Sequence, residues 1–318
     1  MKAARVSHHN GLEVSMYEKI LIPLDGSELA EVALPYAEEL AGKLGSEVTL
    51  LHVCESAEAQ YHHMHQLYIQ KMVAATKRGA KQYLAKPDAK AIMVKSAILS
   101  GHPAEEIVDF AEKQGIGLII IATHGWSGIR RWVLGSVADK VVRATKQPVA
   151  LIRAKGAHHH TFAEGKLNKT LIPLDGSKEG EAVIPYVEEL ASGLKGEVVL
   201  LQVVPPPSPV FAVPGETAQI PYTQAEVELL KVNAGSYLEK VANALKDKHI
   251  KVEFEVKVGN TGNEIIKLAD EVHADLVAMS THGWSGITRW ALGSTADKVL
   301  NGGNTPLLLV RSPGVTTK

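Results

Sequence analysis

Residues 19–53 read KILIPLDGSELAEVALPYAEELAGKLGSEVTLLHV, and residues 169–203 read KTLIPLDGSKEGEAVIPYVEELASGLKGEVVLLQV. Each stretch opens on an apolar run of strand length and closes it with Asp-Gly-Ser. Apolar residues then follow at helical spacing, in the first copy Ala30, Ala33, Leu34, Ala37, Leu40, Ala41 and Leu44. Ser27 or Asp25 suits the cap of that helix, and Gly45 suits its end. A second apolar run, residues 47–53, completes a strand–helix–strand unit. Pro35 and Pro185 stand at the same place inside the two helices. An interior proline costs about 3 kcal/mol unless a kink accommodates it, so a bend is expected in both.

A second pair of stretches extends the duplication. Residues 123–142 read THGWSGIRRWVLGSVADKVV and residues 281–300 read THGWSGITRWALGSTADKVL. The first pair is offset by 150 residues and the second by 158, so the second copy is eight residues longer between them. The proline-rich residues 205–221 are the expected place. The domain reading is an N-terminal extension at 1–16, expected to be disordered, a first repeat at 17–155, a linker at 156–167 and a second repeat at 168–318. The linker holds His158, His159 and His160 between glycines and has no periodicity.

Between these blocks the first copy predicts a long helix near residues 66–86 and a strand near 91–99. A helix follows from Pro103, at the favoured first-turn position. In the second copy Thr261 and Glu264 have capping-box spacing for the same helix. Residues 117–122 form a continuous apolar run, followed by a glycine loop, a helix near 136–146 and a last strand near 148–152. Each copy therefore reads β-α-β-α-β-α-β-α-β. Strands that are apolar throughout and alternate with helices predict an α/β fold, a parallel sheet covered on both faces and doubly wound.

Composition narrows the function classes. The 318 residues carry 34 Lys+Arg and 35 Asp+Glu, a net charge of −1, so no global basic field exists to hold nucleic acid or an anionic membrane. No apolar run approaches the length of a membrane span. The first fifteen residues lack the apolar core of a secretory signal. Cys54 is the single cysteine, which excludes an internal disulfide and fits a cytoplasmic location.

In a doubly wound sheet, ligands bind beyond the carboxyl ends of the strands where the winding reverses. The loop after the first strand carries Asp25-Gly26-Ser27. The loop after the fourth carries Gly125 and Gly128, and Gly135-Ser136 opens the last helix. Glycines let backbone approach a ligand, and the N–H groups of a helix start favour an anion. Together they suit a phosphate chain, with Asp25 placed to accept from a sugar hydroxyl or a base. The P-loop and dinucleotide motifs are both absent. The bland alternative is that the glycines only shape a tight strand-to-helix connection.

At these residues the chain resembles the universal stress protein family, twice, over residues 17–153 and 169–311. ATP-binding members of that family show glycine, two residues, glycine, nine residues, glycine, then serine or threonine. Ala122, Gly125 and Gly135-Ser136 fit this spacing, as do Ser280, Gly283 and Gly293-Ser294; both copies depart at the first glycine. The resemblance implies a strand order of 3-2-1-4-5 in each domain, of adenine nucleotide alpha-hydrolase-like, Rossmann-like type. It implies pairing of the two fifth strands, making an intrachain pseudo-dimer. It implies one ATP site per repeat. The first comprises Pro23, Leu24, Asp25, Val53, Ala122, Gly125, Gly128, Gly135, Ser136 and Val137. The second comprises Pro173, Leu174, Asp175, Val203, Ser280, Gly283, Gly286, Gly293, Ser294 and Thr295. AMP, ADP and cyclic AMP are the alternative ligands, with or without Mg2+, and a homodimer of whole chains is a further implied state.

Other features have plainer readings. The histidine clumps His8-His9, His62-His63-His65 and His158-His159-His160 have no cysteine or carboxylate at zinc-site spacing and read as solvated loops, so no metal site is expected. Cys54 reads as a small hydrophobe at a strand end. His124 and His282 lack a visible orienting partner for catalysis. Trp126, Trp132, Trp284 and Trp290 read as packing or contact residues. Arg130, Arg131 and Arg289 read as solvated as readily as phosphate-binding. Residues 205–221, with Phe211 and Val213, are expected to form a flap that makes the second site differ in affinity from the first. The functional reading is a nucleotide-binding stress or regulatory protein without catalytic residues. A slow ATPase and a nucleotide-free interaction scaffold are its alternatives.

Overall fold

A computed structural model describes residues 15–55, 62–84, 91–123, 134–153, 166–207, 222–281 and 292–312. The first half runs β1 (Lys19–Leu24), α1 (Glu28–Glu31), α2 (Leu34–Leu44), β2 (Glu47–Cys54), α3 (His62–Lys81), β3 (Val94–Ser100), α4 (Pro103–Lys113), β4 (Leu118–Ala122), α5 (Ser136–Ala144) and β5 (Val149–Ile152). The second half repeats it as β6 (Lys169–Pro173), a 3-10 turn (Gly180–Val183), α6 (Ile184–Leu194), β7 (Glu197–Val204), α7 (Gln224–Lys246), β8 (Lys251–Val258), α8 (Thr261–Glu271), β9 (Leu276–Ser280), α9 (Ser294–Gly302) and β10 (Leu307–Val310).

The ten strands form one sheet, ordered β3-β2-β1-β4-β5-β10-β9-β6-β7-β8. Within each half the order is 3-2-1-4-5 and every pairing is parallel. At the seam β10 pairs antiparallel with β5, Leu307 opposite Leu151 and Leu309 opposite Val149. The two five-stranded sheets are thus continuous, and neither apolar last strand is left as an open edge. The outer strands β3 and β8 end the sheet with ion pairs, Lys95 to Glu47 at 2.8 Å and Lys251 to Glu197 at 2.6 Å.

The sheet alternation feeds two cores. Ile20, Ile22 and Leu24 of β1 join the side covered by α2, α3, α6 and α7, while Leu21 joins the side covered by α4, α5, α8 and α9. Both cores run across the seam without interruption. Two reciprocal contacts pin it further. The Arg311 guanidinium donates to the carbonyl oxygen of Arg143 at 2.6 Å, and that of Arg153 donates to the carbonyl of Leu300. Each places a cation at the C-terminal end of a helix in the other half, where the dipole favours it. On the other side of the sheet, Glu39 of α2 accepts from the backbone N–H of Lys166 at 2.5 Å, and Glu189 of α6 accepts from that of Met16 at 3.0 Å.

Several local expectations are corrected. Pro35 does not bend a continuous helix; the helix is broken into α1 and α2, and Pro35 sits in the first turn of α2, where no N–H is required. Pro185 occupies the first turn of α6 in the same way, after the 3-10 turn. The helix expected near 66–86 starts at His62 and stops at Lys81. The strand near 91–99 is shorter at its start, and the helix near 136–146 ends at Ala144. Thr261 is the first helical residue of α8, not its cap; Asn260 accepts from the N–H of Asn263 instead. A capping box does occur, unforeseen, at Thr223 and Glu226 before α7.

Candidate functional site

In each half the first strand pairs with its second over five or six residues but with its fourth over only two. Ile20 and Leu21 face Leu118 and Ile119; Thr170 and Leu171 face Leu276 and Val277. Beyond these pairs the strands part, and a cleft opens at their carboxyl ends. The first cleft is about 250 Å³ and the second about 280 Å³. This is the place where the winding of the sheet reverses.

The walls are equivalent. Pro23, Leu24 and Asp25 come from the end of β1, Leu51 and Val53 from β2, Ala122 from β4, and Gly135, Ser136 and Val137 from the start of α5. The second cleft has Pro173, Leu174, Asp175, Leu201, Val203, Ser280, Gly293, Ser294 and Thr295 in the same positions. Eight of the ten residues expected in each site therefore line one cleft. Gly125 and Gly128, and Gly283 and Gly286, lie outside the described residues. So do His124, His282, the four tryptophans, Arg130, Arg131, Arg289, Phe211 and Val213.

The glycine loops begin and end beside the clefts. Gly135 N–H donates to the carbonyl of Thr123 at 2.7 Å, and Gly293 N–H to that of Thr281 at 3.0 Å. One hydrogen bond thus draws together the two ends of each loop. Gly135 and Gly293 are the caps of α5 and α9, and neither has a side chain to satisfy the first-turn N–H groups. Helices α1, α7 and α8 do have such a cap, from Ser27, Thr223 and Asn260, whereas α2, α4 and α6 have none. The starts of α5 and α9 therefore line the clefts with no side-chain cap on their first-turn N–H groups. No Lys or Arg is among the described residues lining either cleft.

Asp25 has a local task as well. Its Oδ1 accepts from Ser27 N–H at 3.0 Å and from Ser27 Oγ at 2.6 Å. Asp175 holds Ser177 in the same way, at 2.9 and 2.5 Å. These are Asx turns, with Gly26 and Gly176 at φ of 86° and 79° inside them. The carboxylates shape the turn that forms the cleft wall, a role the sequence reading did not assign.

Residues missed by that reading also line the clefts. Pro103 and Ile107 of α4 form one wall, with Thr261 and Ile265 of α8 in the second cleft. The available signal was equal register: Pro103 and Thr261 both open the helix that follows the third strand. At the departure from the family spacing, Ser280 shares a hydrogen bond with Ser312 at 2.8 Å.

The model of the universal stress protein family matches residues 16–153 and again residues 166–311. The chain belongs to the universal stress protein family. Universal stress protein MJ0577 of Methanocaldococcus jannaschii is 30% identical over 159 residues, covering 45% of this chain and 98% of that protein. Universal stress protein Slr1230 of Synechocystis is 25% identical over 316 residues, covering 92% of this chain and 100% of that one. The crystal structure of a universal stress protein from Archaeoglobus fulgidus aligns with a TM-score of 0.63 at 18% identity, over 94% of this chain and 98% of that chain. It shares the fold with this universal stress protein. Among the described residues, no helix is long and apolar enough to cross a membrane.

Proposed function

We propose that this tandem universal stress protein binds an adenine nucleotide, ATP in the first instance, in one cleft of each half and acts as a regulator rather than a catalyst. The observation that carries the reading is the coincidence of an uncapped helix start with each cleft. Gly135-Ser136 and Gly293-Ser294, at the starts of α5 and α9, line a space bounded by apolar side chains and one carboxylate. The N–H groups suit phosphate oxygens. The apolar walls at Val53 and Val203 suit a base, and Asp25 and Asp175 suit a ribose hydroxyl. A dipole contribution of about 0.3–2 kcal/mol per contact, summed over several, approaches the roughly 8 kcal/mol of micromolar binding.

Hydrolysis requires a charge clamp and a positioned nucleophile. In this reading the ligand is held rather than turned over, and any hydrolysis is slow. AMP, ADP and cyclic AMP fit the same clefts in principle, and Mg2+ would be carried in with the nucleotide. The halves at 17–155 and 168–318 act as a built-in pair, in the cytoplasm, and whole chains pair further into a homodimer. Mass analysis of small molecules released from freshly purified protein, followed by titration of ATP into the emptied protein, tests the reading. Two equivalents of ATP bound per chain with negligible product in a single-turnover assay is the expected result. Failure of any adenine nucleotide to bind overturns it in favour of an interaction scaffold.

A further inference from the structure

We infer that the first half carries a transition-metal site of the zinc class, formed by His52, Cys54 and His65. The sequence reading assigned His65 to a solvated loop and Cys54 to a strand end. The structure instead brings them together. His52 and Cys54 alternate on one side of β2 and are buried, and His65 stands in the first turn of α3, part-buried against them. A ligand atom from each lies within 4.8 Å of the others. Two imidazoles and a thiolate are the borderline-to-soft donor set that zinc-class ions favour.

The hydrogen bonds fix which atoms are ready. His52 Nδ1 lies 2.8 Å from the carbonyl oxygen of Leu24, which only accepts, so Nδ1 carries the proton and Nε2 the lone pair. This is the outer-shell bond that orients a metal-bound histidine. His52 Nε2 in turn faces His65 Nδ1 at 2.8 Å, with the rings stacked 4.5 Å apart. His65 therefore donates from Nδ1, and its Nε2 is buried with no hydrogen-bond partner among the described residues. An ion with bonds of 2.0–2.1 Å to nitrogen holds two such atoms about 3.3 Å apart. The rings need open only by a few tenths of an ångström.

On binding, the imidazole proton of His65 moves from Nδ1 to Nε2, or the ring turns over and ligates through Nε2. The Cys54 thiol loses its proton to solvent as the metal–sulfur bond forms. One proton is released per ion and no redox partner is needed. The fourth position is left to water or another donor.

The second half shows that the fold does not require this set. At the positions equivalent to His52 and Cys54 stand Gln202 and Val204, and Val204 packs into an apolar cluster with Val227 and Ala234. A site present in only one half of a duplicated chain is a feature of that half, and it stands apart from the nucleotide reading.

The test uses the full chain, reduced without thiols, and titrated with Co2+ and then Zn2+. Because Cys54 is the single cysteine, a thiolate-to-cobalt charge-transfer band reports on this site alone, whatever the other histidine clusters bind. The expected result is one equivalent of Co2+ with tetrahedral visible bands and a charge-transfer band, displaced by Zn2+ with release of about one proton. Cys54→Val, which takes the residue of the second half, abolishes the band while circular dichroism stays unchanged. His65→Gln weakens Co2+ binding at least tenfold. Absence of the band in the wild type overturns the proposal. So does a Co2+ affinity unaltered by His65→Gln.

Discussion

Glu39 of the first half accepts a hydrogen bond from the backbone N–H of Lys166, two residues before the second half's own tie to Asp275 at Asn168. The side chain of Glu39 is fully buried and also pairs with Lys43 at 2.7 Å. Glu189 holds Met16 by the equivalent bond, so each half secures the chain that leads into the other's first strand.

Removing Glu39 should therefore loosen the seam rather than one helix. Glu39→Ala removes the buried carboxylate that accepts from the Lys166 N–H and pairs with Lys43, and a loss of about 1–3 kcal/mol is expected. Urea unfolding, compared with a control at exposed Glu28, measures it. A change no larger than the control's would mean that the bond contributes nothing.

Glu38, its neighbour, predicts a pH dependence. Burial alone pushes its carboxyl from the ordinary 4.5 up to about 7. Between those values the folded chain keeps a proton that the unfolded chain has released, so stability falls as pH rises from about 4.5 to 7. Glu38→Gln removes this component. The wild type should lose stability relative to the variant across that window. A constant difference from pH 4.5 to 8 would contradict the shift.

Gly135→Val with Gly293→Val should abolish ATP binding in a folded protein. Both glycines have φ near −58° and ψ near 147°, an extended conformation open to any residue, so the substitution acts by bulk at the cleft and not by backbone strain. Calorimetric titration against the wild type, with circular dichroism as control, reads the outcome. Equal affinity would show that these helix starts do not hold the phosphates.

The aspartates call for a gentler change than alanine. Asp25→Asn with Asp175→Asn keeps the Oδ1 acceptor that holds Ser27 and Ser177, while removing the negative charge. Nucleoside affinity should fall about tenfold, or 1.4 kcal/mol, with melting temperature unchanged. Alanine at both positions should instead lower stability as well, because each turn loses its acceptor. If the asparagine variant binds adenosine as the wild type does, the carboxylates serve only the turns.

Most of the fold was legible because it is written in local signals and written twice. Apolar runs such as Leu118–Ala122 mark buried parallel strands, and Gly45 does end α2, at φ of 72°. The break before Pro35 was read as a kink, since spacing alone does not separate a bent helix from two short ones. The start of α3 was missed because the histidines at 62, 63 and 65 look like loop. The cleft walls on α4 and α8, the reciprocal carboxylates at the seam and the meeting of His65 with His52 are tertiary facts. The sequence separations are 11 residues or more, and no local period encodes them.

That both sides of the β5–β10 seam belong to one chain also changes what variation is possible. Two identical chains meeting on a two-fold axis must repeat every substitution on both sides, so a change useful in one cleft is imposed on the other. Here the two sides are written separately. His52, Cys54 and His65 stand on one side while Gln202 and Val204 stand on the other, and the seam that holds them together is untouched. A duplicated chain of this kind leaves each half free to drift towards its own task.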